Sequence, residues 1–165
     1  MENSLLLGKT ANHVLFRFLV ILCVSFTQNV HAQDLIYVDS AATGSNNGTN
    51  WNDAFTDLQP ALDAATPWDT IWVAKGTYKP SKDASGNSSP VDASTKTFQL
   101  VESVYVYGGF AGTETKLSER DWETNSTILS GDIGTAGDIT DNAYHVVSGT
   151  DSCRLDGFII RDGYA

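Results

Sequence analysis

The stretch "SVYVYGGFAGTET", Ser103 to Thr115, starts as a strand and then loses its phase. Val104 and Val106 alternate with Tyr105 and Tyr107, the period of two expected of a strand with two different faces. Gly108 and Gly109 interrupt, and Phe110 resumes the apolar pattern. A hairpin, a phosphate loop and a corner between two strands are the competing readings. A phosphate loop needs Gly-Lys-Ser/Thr or the G-x-G-x-x-G spacing, and "GGFAG" supplies neither. A two-residue hairpin favours Asn-Gly or Asp-Gly, and no such pair joins two strands cleanly in this chain. A corner fits best, with Val104, Val106 and then Phe110 expected to point inward. "RLDGFII" repeats the arrangement, with Leu155, Phe158 and Ile160 inward and Asp156-Gly157 at the break. Glycine tolerates positive φ and a close neighbouring backbone. Gly76, Gly108, Gly109 and Gly157 are therefore read as structural.

Outward from this stretch, short β-forming runs recur: "LIYV" (35–38), "TIWVA" (70–74), "TFQLV" (97–101), "TILS" (127–130), "YHVVS" (144–148) and "GFII" (157–160). Between them lie segments rich in Gly, Asn, Asp, Ser and Thr. Many short strands with such turns predict a mainly β domain. The steps from Val104 to Ile128 and from Ile128 to Leu155 are similar, and a recurring period of that size suggests a solenoid. A β-sandwich is the alternative that pattern alone leaves open. One helical signal stands out. In "FTDLQPALDAA", Phe55, Leu58, Leu62 and Ala65 share a helical face, and Thr56 with Gln59 resembles a capping box. Pro60 predicts a short helix starting near Gln59, because an interior proline clashes with the preceding turn.

Residues 1–32 read as a secretory leader. Lys9, His13 and Arg17 precede the apolar run "FLVILCVSF" (18–26), and "VHA" (30–32) offers a cleavage site after Ala32. A membrane-spanning helix needs about 20 apolar residues, so the run is too short for an anchor. The whole chain carries a formal charge of −10, and losing Glu2, Lys9 and Arg17 makes the remainder more acidic. An acidic surface repels phosphate backbones, so no nucleic-acid partner is expected. Cys153 is the only cysteine after the leader, so no internal disulfide is expected and the fold must build its own core.

"FTDLQPALDAATPWDTIWVAKGTYKP", Phe55 to Pro80, resembles the opening of right-handed parallel β-helix proteins of the pectin-lyase-like superfamily. The matching positions are Asp69, Thr70, Ile71, Val73, Gly76, Thr77 and Tyr78; Trp68 stands where that family usually has glycine. "VYVYGGFAGTETKLSERDWETNSTILSGDI", with "DNAYHVV" and "LDGFIIRDGYA", is similar to the N-terminal region of large secreted bacterial β-helix proteins, including polymorphic-outer-membrane-protein-like surface proteins. The resemblance implies an all-β, right-handed parallel β-helix, a solenoid with a short N-terminal capping helix. It implies that residues 33–165 are the cap and first coils of a longer protein, truncated before its further coils. Those downstream coils would be its nearest partner. The implied location is secreted, at the cell surface or outer membrane. The implied role is a scaffold for adhesion or glycan binding, its partner a polysaccharide or a host or cell-surface glycan. The alternative is the N-terminal part of a polysaccharide lyase or glycoside hydrolase. Fold does not decide between them.

The candidate chemistry is sparse, and no catalytic residue is assigned. His145 is the one histidine after the leader, and no G-x-S-x-G elbow accompanies it. It reads as structural or surface. Asp132, Asp138 and Asp141 are hard oxygen ligands at close spacing and are the calcium candidates. Asp and Asn are also good turn residues, and that explanation ranks first. No other cofactor is expected. Asp156, Arg161 and Asp162 have the chemistry for glycan cleavage, although polar residues are normal at outward positions of a coil. Trp72, Tyr105 and Tyr107 can stack on sugar rings or pack beneath the loops 79–95 and 111–126, with packing favoured for Trp72.

Overall fold

The computed structural model describes residues 32–164, so the leader expected over residues 1–32 lies outside the described residues except for Ala32. The elements are β1 (Leu35–Val38), α1 (Leu58–Ala64), β2 (Thr70–Ala74), β3 (Gly76–Tyr78), β4 (Phe98–Gln99), β5 (Tyr105–Phe110), β6 (Thr127–Ser130), β7 (Val147–Ser148), β8 (Arg154–Asp156) and β9 (Phe158–Arg161). They form three sheets, in the orders β1-β2-β5-β8, β3-β6-β9 and β4-β7. Every strand pairing is parallel. Parallel neighbours cannot be joined by a tight turn. The chain therefore leaves the first sheet, contributes to the second and third, and returns to the first beside its previous strand. The reading of a mainly β chain without hairpins is correct.

Register stacks like on like. Ile36, Ile71, Val106 and Leu155 are successive partners across the first sheet. The first three are buried in the main core with Val38, Val73 and Val104, and Leu155 packs against it. The second and third sheets add Tyr78, Leu129 and Phe98 to the same core. Alternation sends Tyr37, Trp72 and Tyr107 to the opposite face, again as successive partners. Helix α1 packs on β1 and β4 and buries Leu58, Ala61 and Leu62. Its N-cap is Asp57, whose carboxylate accepts the Gln59 N–H at 3.4 Å. The expected Thr56 cap is thus displaced by one residue. Pro60 falls in the first turn, where the backbone N–H has no helical partner to lose. At the other end β7, β8 and β9 each have one neighbour among the described strands. There Ile160, in the row of Tyr78 and Leu129, remains 52% exposed.

The glycine pair differs from its reading in one respect. Gly108 and Gly109 lie inside β5 rather than between two strands. Trp72 pairs with Tyr107, but Ala74 pairs with Phe110, so β5 carries one extra residue there. This is a β-bulge, with Gly109 at φ +92°. The bulge changes the phase of the alternation. Phe110 is fully buried, but against Trp72 and Tyr107 on the opposite face from Val104 and Val106. Where a first-sheet strand is followed directly by a second-sheet strand, the change of direction falls at Lys75-Gly76 and at Gly157. Between β5 and β6, residues 111–126 intervene. The apparent repeat from Val104 to Ile128 to Leu155 also dissolves, because Ile128 belongs to the second sheet and Leu155 to the first, while Val104 only precedes the first-sheet strand β5. The structural repeat is Thr70 to Tyr105 to Arg154, with unequal steps set by loop length.

Each of those three residues is preceded, two positions earlier, by a non-glycine residue at positive φ: Trp68 (+79°), Ser103 (+60°) and Ser152 (+57°). The Trp68 N–H donates to the Ser103 carbonyl at 3.0 Å, and the Ser103 N–H donates to the Asp151 carbonyl at 3.3 Å. Three left-handed turns thus lie one above another at the entry to the first sheet.

Candidate binding groove

The outer face of the first sheet is aromatic because its outward register rows are. Trp72, Tyr107 and Phe110 form a second buried cluster, packed by Leu35, Tyr37, Trp51 and Tyr105. The Trp72 and Phe110 rings stack at 4.6 Å between centroids, and Tyr37 meets Trp51 edge-on at 4.8 Å. Trp72 is 6% exposed and Tyr107 7% exposed. Packing is therefore what both do, whereas Tyr105 stays half-buried. Trp51, from the segment between β1 and α1, covers Tyr37, Trp72 and Phe110, and Arg120 of the 111–126 segment covers Tyr107, so the cover over Trp72 differs from the expected loops. The loop at 79–95 lies elsewhere, near Tyr144, whose hydroxyl donates to Asp92 at 3.0 Å.

The 111–126 insert has few apolar anchors, and carboxylates hold its shape. Glu114 accepts the backbone N–H groups of Ala111 (2.7 Å), Thr113 (2.9 Å) and Gly112 (3.1 Å). Burial pushes its carboxyl up, but these backbone donors outweigh it and hold the group below the usual glutamate value. Glu119 accepts from the N–H groups of Thr115 and Lys116, and these bonds lower its pKa. Asp121 accepts from Thr124 and Glu123, and the Thr124 backbone bond is the largest cause of its lowered pKa. Much of the chain's acidity thus serves to shape loops.

Arg120 fastens the insert to the sheet. Its guanidinium lies 5.0 Å from the ring centres of both Tyr107 and Trp122. Nη2 meets Asp156 Oδ1 at 2.6 Å, and Nη1 donates to the carbonyls of Gly108 and Asp156, each at 3.3 Å. Arg154 approaches the same carboxylate at 3.8 Å and the Tyr107 ring at 5.8 Å. Beside the insert, Gln33, Asp34, Leu35, Thr70, Trp72, Tyr105, Tyr107 and Leu117 line an open groove of about 370 Å³. Its floor is apolar and aromatic, and one edge is polar. That combination suits a ligand with one apolar and one hydrogen-bonding side.

Each carboxylate singled out from sequence has a partner, but Oδ1 of Asp132 and Oδ1 of Asp141 are buried without a hydrogen bond. Asp138 caps a short 3-10 turn, accepting the Thr140 hydroxyl at 2.7 Å and its N–H at 3.0 Å, and its pKa is lowered by these bonds. Asp141 accepts the Thr135 N–H at 2.8 Å, and Asp132 faces Lys79 at 3.9 Å. Among the described residues, no three His, Cys, Asp or Glu side chains are brought together to hold a metal ion. Asp156 is ion-paired as above. Asp162 accepts the Ser130 hydroxyl at 2.7 Å and sits 3.2 Å from Arg161. His145 is exposed, and Cys153 is free, its thiol donating to the Thr150 carbonyl at 3.0 Å. Sequence reasoning missed Trp51, Leu117, Arg120 and Trp122. The signal available for them was two tryptophans and an arginine within otherwise polar loops.

Comparison of the chain with protein-family models, with curated proteins and with solved structures gives no match.

Proposed function

We propose that this chain is the opening section of a right-handed parallel β-helix, a secreted or cell-surface scaffold that binds glycan. Three all-parallel sheets revisited in a fixed order support the solenoid reading, as does the resemblance to pectin-lyase-like and polymorphic-outer-membrane-protein-like proteins. One observation carries the glycan reading: the open aromatic groove in which Tyr105 stays half-exposed beside the buried Trp72 and Tyr107. A pyranose ring presents an apolar C–H face to such a floor, and its hydroxyls reach Gln33, Asp34 and Thr70 at the edge. Asp156, the best-placed carboxylate for cleavage, is tied to Arg120 at 2.6 Å, so no lyase or hydrolase step is assigned.

The test is calorimetric titration of the secreted full chain with an oligosaccharide panel. Saturable binding that Tyr105→Ala weakens while far-UV circular dichroism stays unchanged supports the reading. Binding to none of the panel overturns it. Secretion is checked by mass spectrometry of exported material, which should begin at Gln33; retention of Phe18 to Phe26 contradicts export.

A further inference from the structure

We infer that the ligand of this groove is an extended, uncharged oligosaccharide that crosses the 111–126 insert, with Tyr105 and Trp122 as two separate ring platforms. This rests on the glycan-binding reading above. It adds the charge class of the ligand, its length and a second point of contact.

Three open depressions follow one another on this side of the molecule. The first is the groove at Tyr105, bordered by Leu117. The second is also bordered by Leu117 and reaches Arg120 and Trp122. The third begins at Trp122 and passes over Asp156, Phe158 and Ile159. Leu117 and Trp122 each border two depressions, so a ligand leaving the first meets the second and then the third. A compact mono- or disaccharide uses one of them. A longer chain uses all three.

Trp122 is suited to a second platform because it is exposed and yet fixed. It is 54% exposed, while its ring covers the Arg120 guanidinium. Its backbone is packed so closely on Gly109 that a Cβ there would lie 2.9 Å from it. The Asp121 N–H, one residue before, donates to the Gly109 carbonyl at 2.8 Å. A rigid aromatic of this kind contributes contact area with little ordering cost.

Charge decides between neutral and acidic glycans. The ionisable groups lining the three depressions are Asp34, Arg120 and Asp156. Arg120 is covered by two rings and paired with Asp156, and the neighbouring Arg154 shares that carboxylate. Arg120 and Arg154 share the one Asp156 carboxylate and Asp34 supplies a second negative charge, so two cations face two anions along the line, on a chain whose formal net charge is −10. A polyuronate meets no excess of positive charge here and is repelled by the chain as a whole, whereas a neutral chain is not.

The experiment titrates the secreted full chain with β-1,4-glucan, β-1,4-xylan and α-1,4-galacturonan oligosaccharides of two and six units. A neutral hexamer should bind roughly tenfold tighter than its dimer, the scale of one well-placed aromatic contact. Trp122→Ala should remove that length gain, and Trp122→Phe should retain most of it. Tyr105→Ala should weaken both lengths. A preference for galacturonan, the absence of a length gain, or a gain that survives Trp122→Ala overturns this inference while leaving the glycan reading intact. Failure of every oligosaccharide to bind overturns the glycan reading itself.

Discussion

Gly108 and Gly157 lie against each other at the end of the β5–β8 pairing. A Cβ on Gly108 would sit 2.6 Å from the Gly157 carbonyl oxygen, and a Cβ on Gly157 would sit 2.8 Å from the Gly108 carbonyl oxygen. The obstacle is backbone on both sides, so no side-chain rotation relieves it. Arg120 closes the same corner by donating to the Gly108 carbonyl.

Gly108→Ala should therefore destabilise the fold by about 1–3 kcal/mol through overpacking. Gly149, with open space around the same position and no positive φ, is the control. Its alanine variant should stay within about 0.5 kcal/mol of the parent. Urea unfolding of the two variants makes the comparison, and equal midpoints contradict the close approach.

Arg120→Ala should cost more than loss of a surface ion pair. The Arg120 side chain is only 12% exposed, and its removal strips Asp156 of its shortest partner and two carbonyls of a donor. A loss of roughly 1–3 kcal/mol is expected, above the surface-pair range. Arg120→Lys should not restore it, since an ammonium lacks the planar fork. Full rescue by lysine would reduce the contact to a point charge.

Acid should loosen the 111–126 insert before the core. The Glu114, Glu119 and Asp121 carboxyls are held below their ordinary values. A lowered folded pKa gives stability that is complete above the unfolded value and lost as pH falls through the folded one. For Glu114 the loss begins below its ordinary value of 4.5. Tryptophan fluorescence should report it early, because the Trp51 indole donates to the Glu114 carbonyl at 2.8 Å. Glu114→Gln should flatten that part of the pH profile; an unchanged profile counts against the assignment.

Alkali should act through Tyr78. Burial pushes its hydroxyl from 10.0 up to about 12, and that hydroxyl donates to the Ala74 carbonyl at 3.0 Å. The raised value means full stability below pH 10 and a decline as pH rises from there through about 12. Tyr78→Phe should cost about 1 kcal/mol at neutral pH and lessen the alkaline decline. An identical decline in parent and variant would assign it to another group.

The sequence made some of this legible and hid the rest for physical reasons. β1, β2 and β6 match the predicted runs because each is a compact run of four or five residues rich in β-formers. Phe110 was misplaced because one positive-φ glycine changes the face on which every later residue lands. Ile128 suggested a false repeat because rows from different sheets look alike in one dimension. In the groove, Trp72 and Tyr105 were visible as outward residues of strands. Arg120 and Trp122 were not, because their placement depends on how carboxylates fold an irregular loop back onto the sheet.

The column of left-handed turns at Trp68, Ser103 and Ser152 separates register from loop length. Between Thr70 and Tyr105, and between Tyr105 and Arg154, the chain takes unequal detours and still enters the first sheet in the same phase. Each turn acts as a fresh starting mark, so an error or extension in one circuit is not carried into the next. Loops between the marks are exchangeable cassettes. The segment that overhangs the aromatic face can thus differ in length from the other circuits while the frame keeps its phase.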